Sequence, residues 1–189
     1  RGFFGKTVNA KVTNLTLDGV SITTARNYAG GLIAVALGGT FENCHVNNVS
    51  IQNAGYSYNG GFIGLMGTNT ATFTDCHVTN VNIKGAQFNA GFIGRNEKDA
   101  VFADCSVENV TIDAISSFSA GFIGYAVTSA VTDTTVSGVY ITSTSTNNGG
   151  FIGETQDVAT VIRNCSVQPL NGKDNFVGGT NYIGGFIGR

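Results

Sequence analysis

Apolar and polar positions alternate along this chain in short runs, and the runs themselves repeat. A tetrapeptide of the type Gly-Phe-Ile-Gly begins at Gly2 (GFFG), Gly31 (GLIA), Gly61, Gly91, Gly121, Gly150 and Gly185. Successive starts lie 29, 30, 30, 30, 29 and 35 residues apart. A nearly fixed period of this size marks a stacked-repeat architecture. A second motif sits midway between the copies of the first. It runs from Leu15, Cys44, Cys76, Cys105, Thr134 and Cys165, as in Cys76-His-Val-Thr-Asn-Val-Asn-Ile.

Counting the first residue of that second motif as position zero, the columns separate by chemistry. Position two holds Leu17, Val46, Val78, Val107, Val136 and Val167; position five holds Val20, Val49, Val81, Val110, Val139 and Leu170. Position seven holds Ile22, Ile51, Ile83, Ile112 and Ile141. Spacing of two within each pair is the period of a strand, and the spacing of three between pairs shifts the inward face. The break falls at position four: Gly19, Asn48, Asn80, Asn109, Gly138 and Pro169. Gly and Asn share a tolerance of left-handed backbone angles, so a corner is expected there. Position minus one is always Asn or Asp (Asn14, Asn43, Asp75, Asp104, Asp133, Asn164), which suggests a second corner closed by Asx-turns. Position minus three is apolar again, from Val12 through Phe41, Phe73 and Phe102 to Val131 and Ile162.

These columns predict an all-β chain, a parallel β-solenoid (β-helix) of about six coils of ~30 residues, with about four short arms per coil. Residues 1–189 form one repeat domain, either a segment of a larger repeat protein or a stacking subunit. Residues 171–181 are extra length in the last coil and read as an enlarged surface loop. The small residues before the tetrapeptide, such as Gly60 and Ala90, allow a bend that would bury its adjacent Phe and Ile together.

Composition narrows the classes. Only 12 % of the 189 residues are charged and 42 % are hydrophobic, which excludes charge-driven disorder. Twenty-seven glycines stand beside a single proline with no three-residue period, which excludes collagen. A net charge of −2 with scattered basic residues gives no reason to expect nucleic acid or an anionic membrane as partner. No apolar run reaches eighteen residues, so no membrane span is expected. Because the chain starts at Arg1, it is expected to be a mature or excised piece.

The recurring Gly-Phe/Leu-Ile-Gly resembles the GLUG-motif repeats of bacterial secreted and surface proteins, which also occur beside the catalytic parts of immunoglobulin A-cleaving metallopeptidases. The copies at Gly61, Gly91, Gly121, Gly150 and Gly185 match well; the one at Gly31 ends in Ala34, and the first carries Phe4 in place of Ile. The resemblance implies an extracellular, cell-surface repeat region of a larger bacterial protein. It does not imply peptidase activity, since the sequence lacks the HExxH zinc motif.

Candidate chemistry is confined to a few columns. Cys44, Cys76 and Cys105 share one inward position on successive rungs, and Cys165 lies two rungs past Cys105, beyond bridging reach. Small buried hydrophobes are the expected role, with at most one disulfide. His45 and His77 follow two of these cysteines but face the other way, so a shared zinc ion is not expected. Asp75, Asp104 and Asp133 stack on three rungs and are the best candidates for calcium or for the paired carboxylates of a polysaccharide lyase or hydrolase. Asn14, Asn43 and Asn164 fill the same column, so turn capping explains both residue types together. No cofactor is expected. The sequons at Asn14, Asn48, Asn109 and Asn164 fall in corner columns that already have a structural cause.

An aromatic column precedes most tetrapeptides: Tyr28, Tyr58, Phe88, Phe118 and Tyr182, with Asn147 the exception. It lines either a core edge, the favoured expectation, or a solvent-facing strip for a glycan or protein ligand. Neither end of the sequence looks capped, so the strands of Phe3–Phe4 and Phe186–Ile187 are expected to stack end to end on further repeats or copies. The leading functional expectation is a non-catalytic stalk, spacer or adhesin segment.

Overall fold

The computed structural model describes residues 1–156 and 160–189. The described strands form one fifteen-stranded and one six-stranded sheet, and strand pairing is parallel throughout. Six turns of β-solenoid result, with no helix among the described residues. Long strands such as Phe4–Asp18, Ile33–Asn53 and Ala71–Gly85 run across the corners, whereas later coils break into Ala100–Ala103 and Ser106–Ala114.

The register follows the columns. Ile33, Ile63, Ile93, Ile123 and Ile152 pair rung to rung, with Phe4 at one end and Ile187 at the other. Val78 pairs with Val46 and Val107, and Ile83 with Ile51 and Ile112. In the middle coils the valines and isoleucines of these rows are therefore covered by their own kind above and below. Phe62, Phe92, Phe122 and Phe151 are fully buried beside their neighbouring isoleucines, so both apolar residues of the tetrapeptide enter the core. The bend that admits them brings coils into backbone contact. A Cβ on Gly61 would lie 2.1 Å from the Gly91 carbonyl oxygen, and one on Gly91 2.2 Å from that of Gly121.

Two aromatic ladders fill the interior. Phe62, Phe92 and Phe122 stack at 4.7 and 4.9 Å, and Phe41, Phe73 and Phe102 at 4.9 and 4.7 Å. The ladders meet edge to face, as in Phe62 on Phe73 at 6.1 Å and Phe73 on Phe92 at 5.7 Å. Offset-stacked and perpendicular contacts of this kind are the geometries the ring quadrupole favours.

Three columns of left-handed backbone turn the coil. Asn48, Asn80 and Asn109 have φ of 55°, 53° and 58°, as the corner at position four requires. Position minus one is also left-handed, from 49° at Asn43 to 55° at Asn14, which differs from the Asx-turn expectation. There the side chain does not close the turn. Asn43 Nδ2 donates instead to Asn14 Oδ1 of the preceding rung (2.8 Å) and Asn164 Nδ2 to Asp133 Oδ1 (3.0 Å), while Asp75 Oδ1 meets His77 Nε2 two residues on (2.8 Å). Asn and Asp are chosen because they tolerate αL. The third column is the aromatic one, with φ from 52° at Tyr182 to 70° at Tyr28. Left-handed geometry is uncommon for bulky residues, and stacking of the rings offsets its cost.

Residues 171–181 are not a plain loop. Asn171 and Gly172, at φ 52° and 73°, make a two-residue turn between Leu170 and Lys173, which form an antiparallel bridge. Positive φ at both central residues is the type I′ signature of an Asn-Gly hairpin. Phe176–Val177 then resumes the stack, with Val177 opposite Ile141. The apolar residue missing from position seven of the last coil is thus supplied after a short insertion.

A buried amide row was not foreseen. Asn59, Asn89, Ser119 and Asn148 lie one rung apart with no solvent exposure. Asn53 Nδ2 donates to Asn59 Oδ1 (2.7 Å), Asn59 Nδ2 to Asn89 Oδ1 (2.8 Å), and Asn89 Nδ2 to the Ala86 carbonyl (3.0 Å). These bonds satisfy groups whose burial would otherwise be costly.

Candidate functional site

The inner cysteine column is structural. Cys44, Cys76, Cys105 and Cys165 are free thiols, the first three buried and the last half-buried. Each Sγ–H donates to the carbonyl two residues earlier: Glu42 (3.4 Å), Thr74 (3.4 Å), Ala103 (3.3 Å) and Arg163 (3.1 Å). Thr134 does the same to Thr132 through Oγ1 at 2.9 Å. From the second coil to the sixth the column therefore holds a small side chain carrying a donor, which explains why Cys and Thr interchange there, while Leu15 fills the same position in the first coil as an apolar group alone. Burial pushes the Cys105 thiol up to about 12.

On the outer face the acidic row is spread along the solenoid. Asp75 Oδ1 lies 2.8 Å from His77 Nε2, and His77 Nδ1 lies 2.7 Å from Ser106 Oγ. Asp133 instead accepts from Asn164. His77 stacks on His45 at 4.9 Å, and His45 Nε2 lies 2.9 Å from Asn43 Oδ1. Asp75 and Asp133 each engage a local partner, and the row does not line the groove described below. Among the described residues, no group of three or more His, Cys, Asp and Glu side chains is placed to hold a metal ion. Asp75, Asp104 and Asp133 thus make no three-carboxylate calcium cage.

The aromatic column lies at the surface but is not an open platform. Tyr28–Tyr58, Tyr58–Phe88 and Phe88–Phe118 stack at 4.9, 5.0 and 4.8 Å, so their faces cover one another. Arg95 lies over the rings of Phe88 (4.9 Å) and Tyr125 (4.7 Å), while Tyr125 meets Phe88 and Phe118 edge-on. Cation–π and edge contacts close the centre of the strip. Phe88 is consequently buried, Tyr58 and Phe118 half-buried, and Tyr28 and Tyr182 exposed. The core-edge expectation holds at the centre and gives way to exposure at the ends. The residues that decide this, Arg95 and Tyr125, directly follow the tetrapeptide, a position whose variation carries no periodic signal.

Where the repeat is interrupted, the surface opens into a groove of about 510 Å3. Asn109, Thr111 and Tyr140 form its floor on two successive rungs, and Asn171, Lys173 and Asp174 of the insertion form its wall. Leu170 seats on Gly138, where a Cβ would lie 2.7 Å from that of Leu170. Val139 N donates to Asn175 Oδ1 at 2.8 Å and pins the other end of the insertion. Sequence reading missed this groove, although the Asn171-Gly172 turn signal was present.

Among the described residues, no helix is long and apolar enough to cross a membrane. Comparison with protein-family models, with curated proteins and with solved structures finds no match.

Proposed function

We propose that this solenoid is a non-catalytic structural or adhesive repeat segment of a secreted or cell-surface bacterial protein. The observation that carries the reading is the ladder organisation itself. Chemically like residues recur on consecutive rungs, from the phenylalanine stacks inside to the Asp18–Asn48–Asn80–Asn109 hydrogen-bond chain outside. Such an arrangement spreads interactions along an axis instead of converging them on one reacting atom, which suits a spacer or a binding surface. The likeness of its tetrapeptides to GLUG repeats supports the extracellular placement. Antibody labelling of intact cells of the source bacterium tests it: surface signal before lysis is expected, and signal only after lysis overturns the placement.

A second reading, end-to-end continuation, is favoured by a separate observation. Phe4, Val12, Leu15, Leu17 and Val20 at one end, and Ile162, Cys165, Val167, Val177 and Phe186 at the other, pack on the core but stay partly exposed. Corresponding columns in the middle coils are fully covered. Each end thus offers an apolar, hydrogen-bond-ready edge to a further coil, from the same polypeptide or from another copy.

A further inference from the structure

The groove at the insertion has the chemistry of a carbohydrate site, and we propose that it binds one pyranose unit of a surface glycan. The assignment deepens the adhesive reading above and rests on it for the extracellular setting in which such a glycan is met.

Tyr140 carries the argument. Phe176 stacks on one of its faces at 5.1 Å. On the rung at its other side stands Thr111, which carries no ring to stack on that face. Tyr140 is 50 % exposed, so an aromatic face, backed by a second ring, looks into the groove from its floor. This is the difference from the Tyr28–Phe118 strip, where neighbouring rings and Arg95 occupy the faces. A pyranose presents an apolar C–H face that packs on such a ring, with hydroxyls directed around its rim.

The rim of the groove matches those hydroxyls. Asn109 and Asn171 supply amides, each both donor and acceptor; Thr111 supplies a hydroxyl, Lys173 donors and Asp174 acceptors. One ammonium and one carboxylate leave the groove without a net charge, which fits a neutral sugar better than a phosphate or a uronate. A volume of about 510 Å3 falls among small-ligand sites, which span roughly 300–1,000 Å3. The wall is held in place by the Asn171-Gly172 turn, the seat of Leu170 on Gly138, and the Val139–Asn175 bond. Little ordering of the wall is then needed on binding.

The test uses the 15N-labelled chain titrated with the methyl glycosides of glucose, galactose, mannose and N-acetylglucosamine, and separately with a tripeptide. Amide shifts confined to Asn109, Thr111, Tyr140 and residues 171–174 are expected with at least one glycoside. Tyr140→Ala, at an exposed position outside the interior phenylalanine ladders, should weaken that binding by roughly three- to tenfold. Tyr140→Phe should retain it, and an unchanged thermal midpoint shows that both variants are folded. No groove shift with any glycoside, shifts that persist in Tyr140→Ala, or shifts with the tripeptide alone each overturn the proposal. Surface labelling of cells is unaffected by any of these results, so failure here and failure of the placement are separately visible.

Discussion

Asn59 Nδ2 donates to Asn89 Oδ1 across 2.8 Å inside the coil stack, and neither residue has any exposed surface. The bond joins two rungs at the point where the chain re-enters the core. Replacing Asn89 with Ala leaves a buried amide proton without its acceptor, at a cost of about 1–3 kcal/mol. Asn89→Ala should therefore lower the midpoint of urea unfolding clearly. Asn47→Ala, half-buried at the outer surface, should cost less than half as much. Equal losses for the two would mean that the buried row contributes no more than a half-exposed hydrogen bond does.

At the position-four corner, the test separates backbone from side chain. Asn80 sits at φ 53°, donates to Asn48 Oδ1 and accepts from Asn109 Nδ2, each at 2.8 Å. Asn80→Gly removes the ladder but keeps the angle accessible. Asn80→Val removes the ladder and also strains the backbone by about 1–3 kcal/mol. Chemical denaturation should rank wild type above Gly and Gly above Val; equal midpoints for Gly and Val would rule out a left-handed corner.

Gly91, which opens a tetrapeptide inside the stack, is required for close approach, not for φ. A Cβ on Gly91 would meet the Gly121 carbonyl oxygen at 2.2 Å and Val107 Cγ1 at 2.6 Å. Gly91→Ala should destabilise by about 1–3 kcal/mol or prevent folding. At Gly5, by contrast, nothing lies within 4 Å of the added carbon, so Gly5→Ala should be neutral or slightly stabilising. Thermal melts of the two variants give the comparison.

Thiol reactivity should divide the cysteines by coil. Cys165, half-buried in the outermost described coil, should react with iodoacetamide in the native state, while Cys44, Cys76 and Cys105 wait for unfolding. Burial raises the Cys165 thiol above its ordinary value. Since the thiolate is the nucleophile, its alkylation should keep accelerating with pH past the range where a free cysteine levels off. Mass mapping of labelled peptides at several pH values reads both effects. Native labelling of Cys76 or Cys105 as fast as Cys165 contradicts the buried ladder.

Columns that repeat a single constraint were legible in the sequence. The valine and isoleucine rows and the Asn or Gly corner needed only period and residue chemistry, and the register follows them. Less legible were positions where two constraints compete. Tyr58 and Phe118 look like core residues, yet they hold φ of 69° and 67° at the surface, a backbone state that composition does not suggest for aromatics. Phe88 is buried by Arg95 and Tyr125, whose column also holds Leu65 and Glu154, so no common chemistry announced it. The cysteines look like apolar fillers in the sequence, because their donor role shows only once Glu42, Thr74 and Ala103 present carbonyls to them. In the groove, Asn171-Gly172 was a hairpin signal obscured by the length of the insertion around it.

End-to-end continuation makes the last prediction. In the middle of the stack a phenylalanine of the tetrapeptide is covered on both faces, whereas Phe186 stacks on Phe151 at 4.8 Å and is only partly buried. Its neighbour Ile187 bridges Ile152 and is 37 % exposed; at the opposite end Phe3 is 61 % exposed. A second copy placed in register would set Phe3–Phe4 against Phe186–Ile187, pair the free amides and carbonyls of both strands, and bury the apolar columns that the ends leave partly open. The contact is head-to-tail and non-closing, so it propagates into fibres instead of stopping at a dimer. Light scattering and negative-stain imaging of the isolated chain at rising concentration should show linear growth. Ile187→Lys places a charge in the contact, where burial without a partner is costly, and should abolish growth. Interior coils should keep their melting profile in that variant, because Ile187 packs only on the last rung. Persistent monomers of the unmodified chain at high concentration would leave continuation to further coils of the same polypeptide. Fibres that form equally well with Ile187→Lys would show that assembly uses some other surface.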